Sequence, residues 1–255
     1  MVAVLARLLY PRILYPAPQA DTHAPGEGTL WTLRASDGLD VHATALALPA
    51  GAPVLVYFHG NGVAMGDVLW MGREFARRGL GVVLCEYRGY GLSAGHAPDE
   101  QGFYRDAEAV LDHLAEQGVG PDRVVLFGES LGTGVAAEMA ARGRGAALVL
   151  VAPYTSMPDI GDHVIARFPI LPVRLLMRER FATIDKAPRI TVPTLILHGT
   201  DDEVVPYAMG RRLGEVLPNA RLVSVPGGHH NDLFLGAGAR FFGEVASFAL
   251  PRQRP

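Results

Sequence analysis

Short runs of apolar, mostly β-branched residues recur along the chain and alternate with longer stretches whose apolar positions return every three or four residues. The runs are VLVYF (54–58), GVVLCEY (81–87), RVVLF (123–127), ALVLVAP (147–153), TLILHG (194–199) and RLVSVPG (221–227). Most are continuously apolar, as strands buried on both faces should be. Upstream, TLWTLRASDGLDVHATALAL sets two strand-like segments around Ser36-Asp37-Gly38, which predicts a hairpin entering the sheet. Helices are expected at about 66–78, 103–117, 131–143, 207–217 and 236–249. Each is long enough for a right-handed crossover between parallel neighbours. The alternation predicts an α/β fold with a mostly parallel central sheet and helices on both faces.

One gap is longer than a crossover requires. Residues 157–192 hold four prolines and the apolar residues Ile165, Phe168, Ile170, Leu171, Leu175, Leu176, Met177 and Phe181. They read as a small helical cap inserted into a single domain spanning 1–255. No internal repeat or low-complexity linker interrupts it. At the amino end, MVAVLARLLYPRILYPAP is apolar, but Arg7, Pro11 and Arg12 cut it short of a spanning helix, and no positive region precedes its apolar part. Residues 1–18 are expected to lie on the domain, with weak membrane-surface contact as the alternative.

Composition narrows the class. With 49% hydrophobic and 19% charged residues, the chain can bury a sizeable core and does not read as disordered. A net charge of −3 without a dense Lys/Arg run argues against nucleic acid as a partner. The single cysteine, Cys85, lies inside an apolar run and cannot form an internal disulfide, so a reducing compartment is compatible and an oxidising one is not required; a cytoplasmic location, with a place at the membrane periphery as the alternative, is the expectation.

The most informative stretch is Gly128-Glu129-Ser130-Leu131-Gly132, which fits G-x-S-x-G directly after a strand-like run and before a helix of small residues. In that pattern the strand turns sharply into the helix and leaves the serine strained at the tip. A dinucleotide-binding reading competes, since residues 132–137 fit G-x-G-x-x-A. It starts several residues late after the strand, and Ala152-Pro153 stands where a ribose-binding acid is needed. A serine hydroxyl needs a base, and the base needs an orienting acid. Asp201 and Asp202 follow one strand-like run, and His229 and His230 follow the next. Both loops should emerge at the sheet edge that carries Ser130. No H-E-x-x-H and no Cys pair suggests a metal.

FHGNG (58–62), EYRGYGLS (86–93), GESLG (128–132), HGTDDEVVP (198–206) and GGHHNDL (227–233) resemble the α/β-hydrolase superfamily. They are most similar to its small-cap serine hydrolases, the group with serine-aminopeptidase-like hydrolases and membrane-associated depalmitoylating esterases. The resemblance runs from about residue 25 to about residue 250. It implies Ser130 as nucleophile, Asp202 as the acid four residues before Pro206, and His230 as the base before Asn231-Asp232. Asp201 is left to shape the turn. The same resemblance implies an oxyanion hole from the amides of Leu131 and Asn61. Arg88 is expected to hold loops together by pairing with a carboxylate, with pocket lining by Arg88 and Tyr90 as the alternative, and His59 and His198 are expected to brace loops. No cofactor is implied. The expected activity is hydrolysis of a small-molecule carboxylester or thioester through an acyl-enzyme. A peptidase or aminopeptidase of the same fold, and a non-catalytic small-molecule binder, stay open as alternatives.

Overall fold

The computed structural model describes residue 15 and residues 28–93, 98–165, 177–234 and 238–250. The apolar runs form strands β1 (Thr29–Arg34), β2 (Asp40–Ala47), β3 (Val54–Phe58), β4 (Gly81–Glu86), β5 (Val124–Glu129), β6 (Ala147–Val151), β7 (Thr194–Gly199) and β8 (Ala220–Val225). They build one sheet in the order β1-β2-β4-β3-β5-β6-β7-β8. Only β2 runs against its neighbours; every other pair is parallel. The hairpin turns where expected, with Gly38 at φ 83° and its N–H on the Ala35 carbonyl.

Helices α1 (Leu69–Ala76), α2 (Glu100–Glu116), α3 (Leu131–Ala141), α4 (Met157–Ile165), α5 (Thr183–Lys186), α6 (Tyr207–Val216) and α7 (Gly238–Ala249) supply the layers. Alternate strand residues serve opposite faces. Val54, Val56 and Phe58 of β3 join a core with Phe103, Val110 and Leu114 of α2, Val135 and Ala136 of α3, and Leu213 of α6. Leu55 and Tyr57 join Met71 and Phe75 of α1 and Phe241, Phe242 and Val245 of α7. Burying each such large side chain contributes about 1.5–3 kcal/mol, which explains why the central strands tolerate no polar interruption before their ends.

Element boundaries differ from expectation in two instructive places. The helix expected at 103–117 begins three residues earlier, because Asp99 caps it by accepting from the Gly102 N–H at 2.9 Å. The helix expected at 66–78 opens as a 3-10 turn, Met65–Val68, and ends at Ala76, ahead of Gly79 at φ 87°.

The segment expected to form a cap, 157–192, enters through α4, and its ends are tied together: Met157 N–H donates to Arg180 O at 2.8 Å and Ile184 N–H to Thr155 O at 3.1 Å. Phe168, Ile170, Leu171, Leu175 and Leu176 lie outside the described residues, as does the Ile165 side chain. Met177 and Phe181 pack against the main core, Phe181 fully buried beside Phe103 and Tyr104. Of residues 1–18 only Tyr15 is described; its ring is buried against Phe103 at 5.2 Å, and the expectation of membrane-surface contact lies outside the described residues. No described helix is long and apolar enough to cross a membrane.

Candidate active site

At the carboxyl end of β5 the chain reverses direction within one residue. Ser130 holds φ 47° and ψ −114°, a region that costs a non-glycine residue about 1–3 kcal/mol. Its neighbours make the turn possible. A Cβ on Gly128 would collide with the Gly132 carbonyl, and one on Gly132 with the Phe58 carbonyl of β3. The Ser130 N–H donates to Val151 O of β6 at 2.9 Å, and the Thr133 hydroxyl donates to Ser130 O at 2.6 Å. Leu131 is the first residue of α3, so its N–H has no acceptor within the helix and stands at the positive end of the helix dipole.

Two later loops converge on this turn. His230, in the loop after β8, sets Nε2 3.1 Å from Ser130 Oγ. Its Nδ1 lies 2.8 Å from Asp202 Oδ2 and 3.0 Å from Oδ1, the carboxylate being in the loop after β7. A carboxylate only accepts, so Nδ1 carries the hydrogen, and Nε2 presents its lone pair to the serine hydroxyl. Asp202 is buried yet satisfied: Oδ1 accepts from the N–H groups of Val204 at 2.9 Å and Val205 at 2.8 Å. His198 lies beneath it, Nε2 donating to Val205 O at 2.9 Å and passing 3.3 Å from Asp202 Oδ2. Burial pushes the Asp202 carboxyl up, but hydrogen bonds from His198 and His230 outweigh it and hold the group well below the usual carboxylate range.

The neighbouring candidates sit elsewhere. Asp201 accepts from the Thr200 hydroxyl at 3.0 Å and is fixed by its N–H to Gly228 O at 3.1 Å, a turn-forming position. His229 is exposed and faces Glu203 at 3.2 Å, a contact that raises its proton affinity. The hydroxyl, imidazole and carboxylate of 130, 230 and 202 therefore stand in series, while 201 and 229 stay outside that series.

The loop after β3 forms the opposite wall. A Cβ built on Gly60 would lie 3.6 Å from Ser130 Cβ, which puts this backbone beside the serine. Asn61 follows, its side-chain oxygen accepting from Tyr90 OH at 2.6 Å and from Gly62 N–H at 3.1 Å. Arg88 is buried, with Nη2 2.6 Å from Asp106 of α2 and Nη1 2.7 Å from Asp37 of the hairpin turn.

Sequence reasoning passed over Glu86, which is buried beside His59, and the contact of Tyr57 OH with the Glu129 carboxylate next to the serine. Burial raises the Glu129 carboxyl, opposed by the Tyr57 hydrogen bond and the charge of His230. The available signal was a lone carboxylate closing each of two otherwise apolar strands. Among the described residues no group of three or more His, Cys, Asp or Glu side chains could hold a metal ion.

Comparison with known proteins agrees with the fold. The family model described as serine aminopeptidase, S33, matches residues 51–181, and one described as alpha/beta hydrolase fold matches residues 171–237. An uncharacterized protein of Mycobacterium tuberculosis is 33% identical over 251 residues, covering 94% of this chain and 88% of its own. Among solved structures, an esterase of Pyrococcus furiosus superposes with a TM-score of 0.75 at 15% identity, covering 92% of this chain and 96% of that one. A puromycin-hydrolyzing peptidase of Mycobacterium tuberculosis superposes at 0.70 and 21% identity, over 87% of this chain and 38% of that one.

Proposed function

The chain belongs to the serine aminopeptidase S33 family of α/β hydrolases, and from that premise we propose that it cleaves a small-molecule carboxylester or thioester through an acyl-enzyme on Ser130. The observation that carries the reading is the series Ser130 Oγ, His230 Nε2 at 3.1 Å, and His230 Nδ1 to Asp202 Oδ2 at 2.8 Å. Ser130 Oγ attacks the carbonyl carbon while His230 Nε2 takes its proton, and Asp202 keeps the imidazole in the accepting tautomer and stabilises its charged form. The developing oxyanion is met by the N–H groups of Leu131 and Asn61, each such donor lowering the barrier by about 3 kcal/mol. Collapse expels the alcohol or thiol with the proton from His230. A water, deprotonated by the same nitrogen, then attacks the acyl-serine and releases the acid.

Esters and thioesters are favoured over amides because the 157–192 insertion is rich in apolar residues, which suit an acyl or aromatic group better than a charged peptide. A peptidase reading has its own support in the family description and in the peptidase neighbour. A fluorophosphonate probe tests the mechanism: wild type should label and Ser130→Ala should not. Labelling that survives Ser130→Ala gives the wrong nucleophile, and a folded wild type that does not label points to a non-catalytic binder. A panel of p-nitrophenyl esters, acyl thioesters and peptide anilides then tests the substrate class; turnover of anilides alone overturns the ester reading.

A further inference from the structure

Glu86 and His59 form a carboxylate–imidazole pair that the proposed chemistry leaves unused, 2% and 0% exposed, with Oε1 and Nε2 3.1 Å apart. We propose that these two side chains are positioning residues for the oxyanion hole, acting through the peptide that joins Gly60 to Asn61. The inference rests on the serine-hydrolase reading above.

The first step is the hydrogen bond from His59 Nδ1 to Gly60 O, at 2.8 Å. A carbonyl can only accept, so Nδ1 carries the hydrogen. The peptide is trans, as all described peptides are, which points the Gly60 carbonyl and the Asn61 N–H in opposite directions. The side on which each lies follows from strand order. His59 leaves the end of β3 with its ring between Tyr87 and Tyr90, centroids 4.4 Å and 5.3 Å away, and against Glu86, all on the β4 side. Ser130 follows β5, on the other side of β3. Drawing the Gly60 carbonyl toward the β4 side turns the Asn61 N–H toward the serine.

The second step fixes the imidazole itself. Glu86 Oε1 faces His59 Nε2, and Oε2 accepts the Met65 N–H at 3.1 Å. One carboxyl group therefore holds both the first and the last residue of the 59–65 loop. Tyr87 OH donates to His59 O at 3.2 Å and closes the same end. The pocket around the carboxyl is fitted to it: a Cβ on Gly91, at φ 41°, would overlap Glu86 Oε2. A loop held at both ends by a buried group has its amide direction set before substrate arrives, as an oxyanion donor requires.

Amide side chains separate this role from mere support. Asn at 59 can reproduce the Nδ1 donor and Gln the Nε2 position. His59→Asn should therefore keep kcat for a p-nitrophenyl ester within about fivefold of wild type, whereas His59→Gln should lower it about 100-fold with KM little changed. In Glu86→Gln the amide NH2 can donate to the Nε2 lone pair of a neutral His59 whose hydrogen stays on Nδ1, and the amide oxygen can accept from Met65, so this variant should stay near wild type, while Glu86→Ala should lose about tenfold or more in kcat. Binding of a trifluoromethyl ketone, whose tetrahedral adduct loads the oxyanion donors, should weaken in step with kcat. Equal losses in His59→Asn and His59→Gln, or kcat that tracks only the fall in Tm, overturn the proposal. If either histidine variant does not fold, the Glu86→Gln and Glu86→Ala pair decides by the same measurements. Ser130 labelling in wild type with unchanged turnover in all four variants defeats the positioning role alone; absence of labelling and turnover in wild type defeats the hydrolase reading beneath it.

Discussion

The His230–Asp202 and His59–Glu86 pairs stand at the same rim of the sheet, and the partner of each second nitrogen separates their roles. In His230–Asp202 the free nitrogen faces the Ser130 hydroxyl at 3.1 Å. In His59–Glu86 it faces the Gly60 carbonyl at 2.8 Å. A hydroxyl can surrender a proton and a carbonyl cannot, so only the first imidazole can act as a base. Exposure draws the same line: the His230 side chain keeps 10% of its surface open and His59 keeps none. A group that must exchange protons with substrate and water needs that opening, and a group that holds a backbone is better enclosed. On the roles proposed above, chemically similar pairs serve as base and brace through burial and one neighbouring atom.

The sharpest way to break this comparison is to exchange carboxylate for amide in the proposed catalytic pair. In Asp202→Asn the amide oxygen would accept from the Val204 and Val205 N–H groups, as Oδ1 does now. Its NH2 would then donate to His230 Nδ1, forcing the hydrogen onto Nε2, where it can no longer accept from Ser130. A fall in kcat of about 10⁴ is expected, in a protein that remains folded by circular dichroism. If Asp202→Asn costs no more than the corresponding change at Glu86, the distinction between base and brace is wrong.

A third buried ionic tie, two residues beyond Glu86, sharpens the contrast further. Arg88 joins Asp37 and Asp106 but makes no hydrogen bond to the 59–65 loop. Removing one partner of a buried pair costs about 3–5 kcal/mol because the remaining charge stays enclosed. Arg88→Met should therefore lower urea stability by an amount of that order while leaving kcat and KM of the folded fraction unchanged. A selective loss of kcat would mean that the whole 86–93 stretch, rather than Glu86 alone, tunes the site.

Much of this was legible in the chain. Continuous apolar runs located the strands, since burial on both faces leaves no room for polar alternation, and the glycines at 128 and 132 revealed a backbone contact too close for any side chain. The loops after β7 and β8 were expected at the sheet edge that carries Ser130, but only the family resemblance chose Asp202 over Asp201 and His230 over His229. The start of α2 was missed because periodicity begins at Phe103, although Pro98-Asp99 carried the capping signal. Glu86 was missed for a different reason. Its partner His59 is 27 positions away, and the pairing exists only once β3 and β4 lie side by side. Tyr57 and Glu129, 72 positions apart, are hidden in the same way. Periodicity reports burial, whereas the partner of a buried charge is a property of strand order.

The smallest expected effect concerns acid stability and tests the ionisation on which the proposed catalytic pair depends. Asp202 has a depressed value in the folded state. Its contribution to stability is therefore fully present above the unfolded carboxylate value of about 3.9 and is lost as pH falls below that toward the folded value. Asn at this position cannot take up the proton, so the stability difference between wild type and Asp202→Asn should shrink, on the order of 1–2 kcal/mol, between about pH 6 and about pH 3. Urea titrations of both proteins across that range measure it. A difference that stays constant would mean that Asp202 is not held ionised by its hydrogen bonds, and the charge needed to stabilise the His230 imidazolium would have no source in this pair.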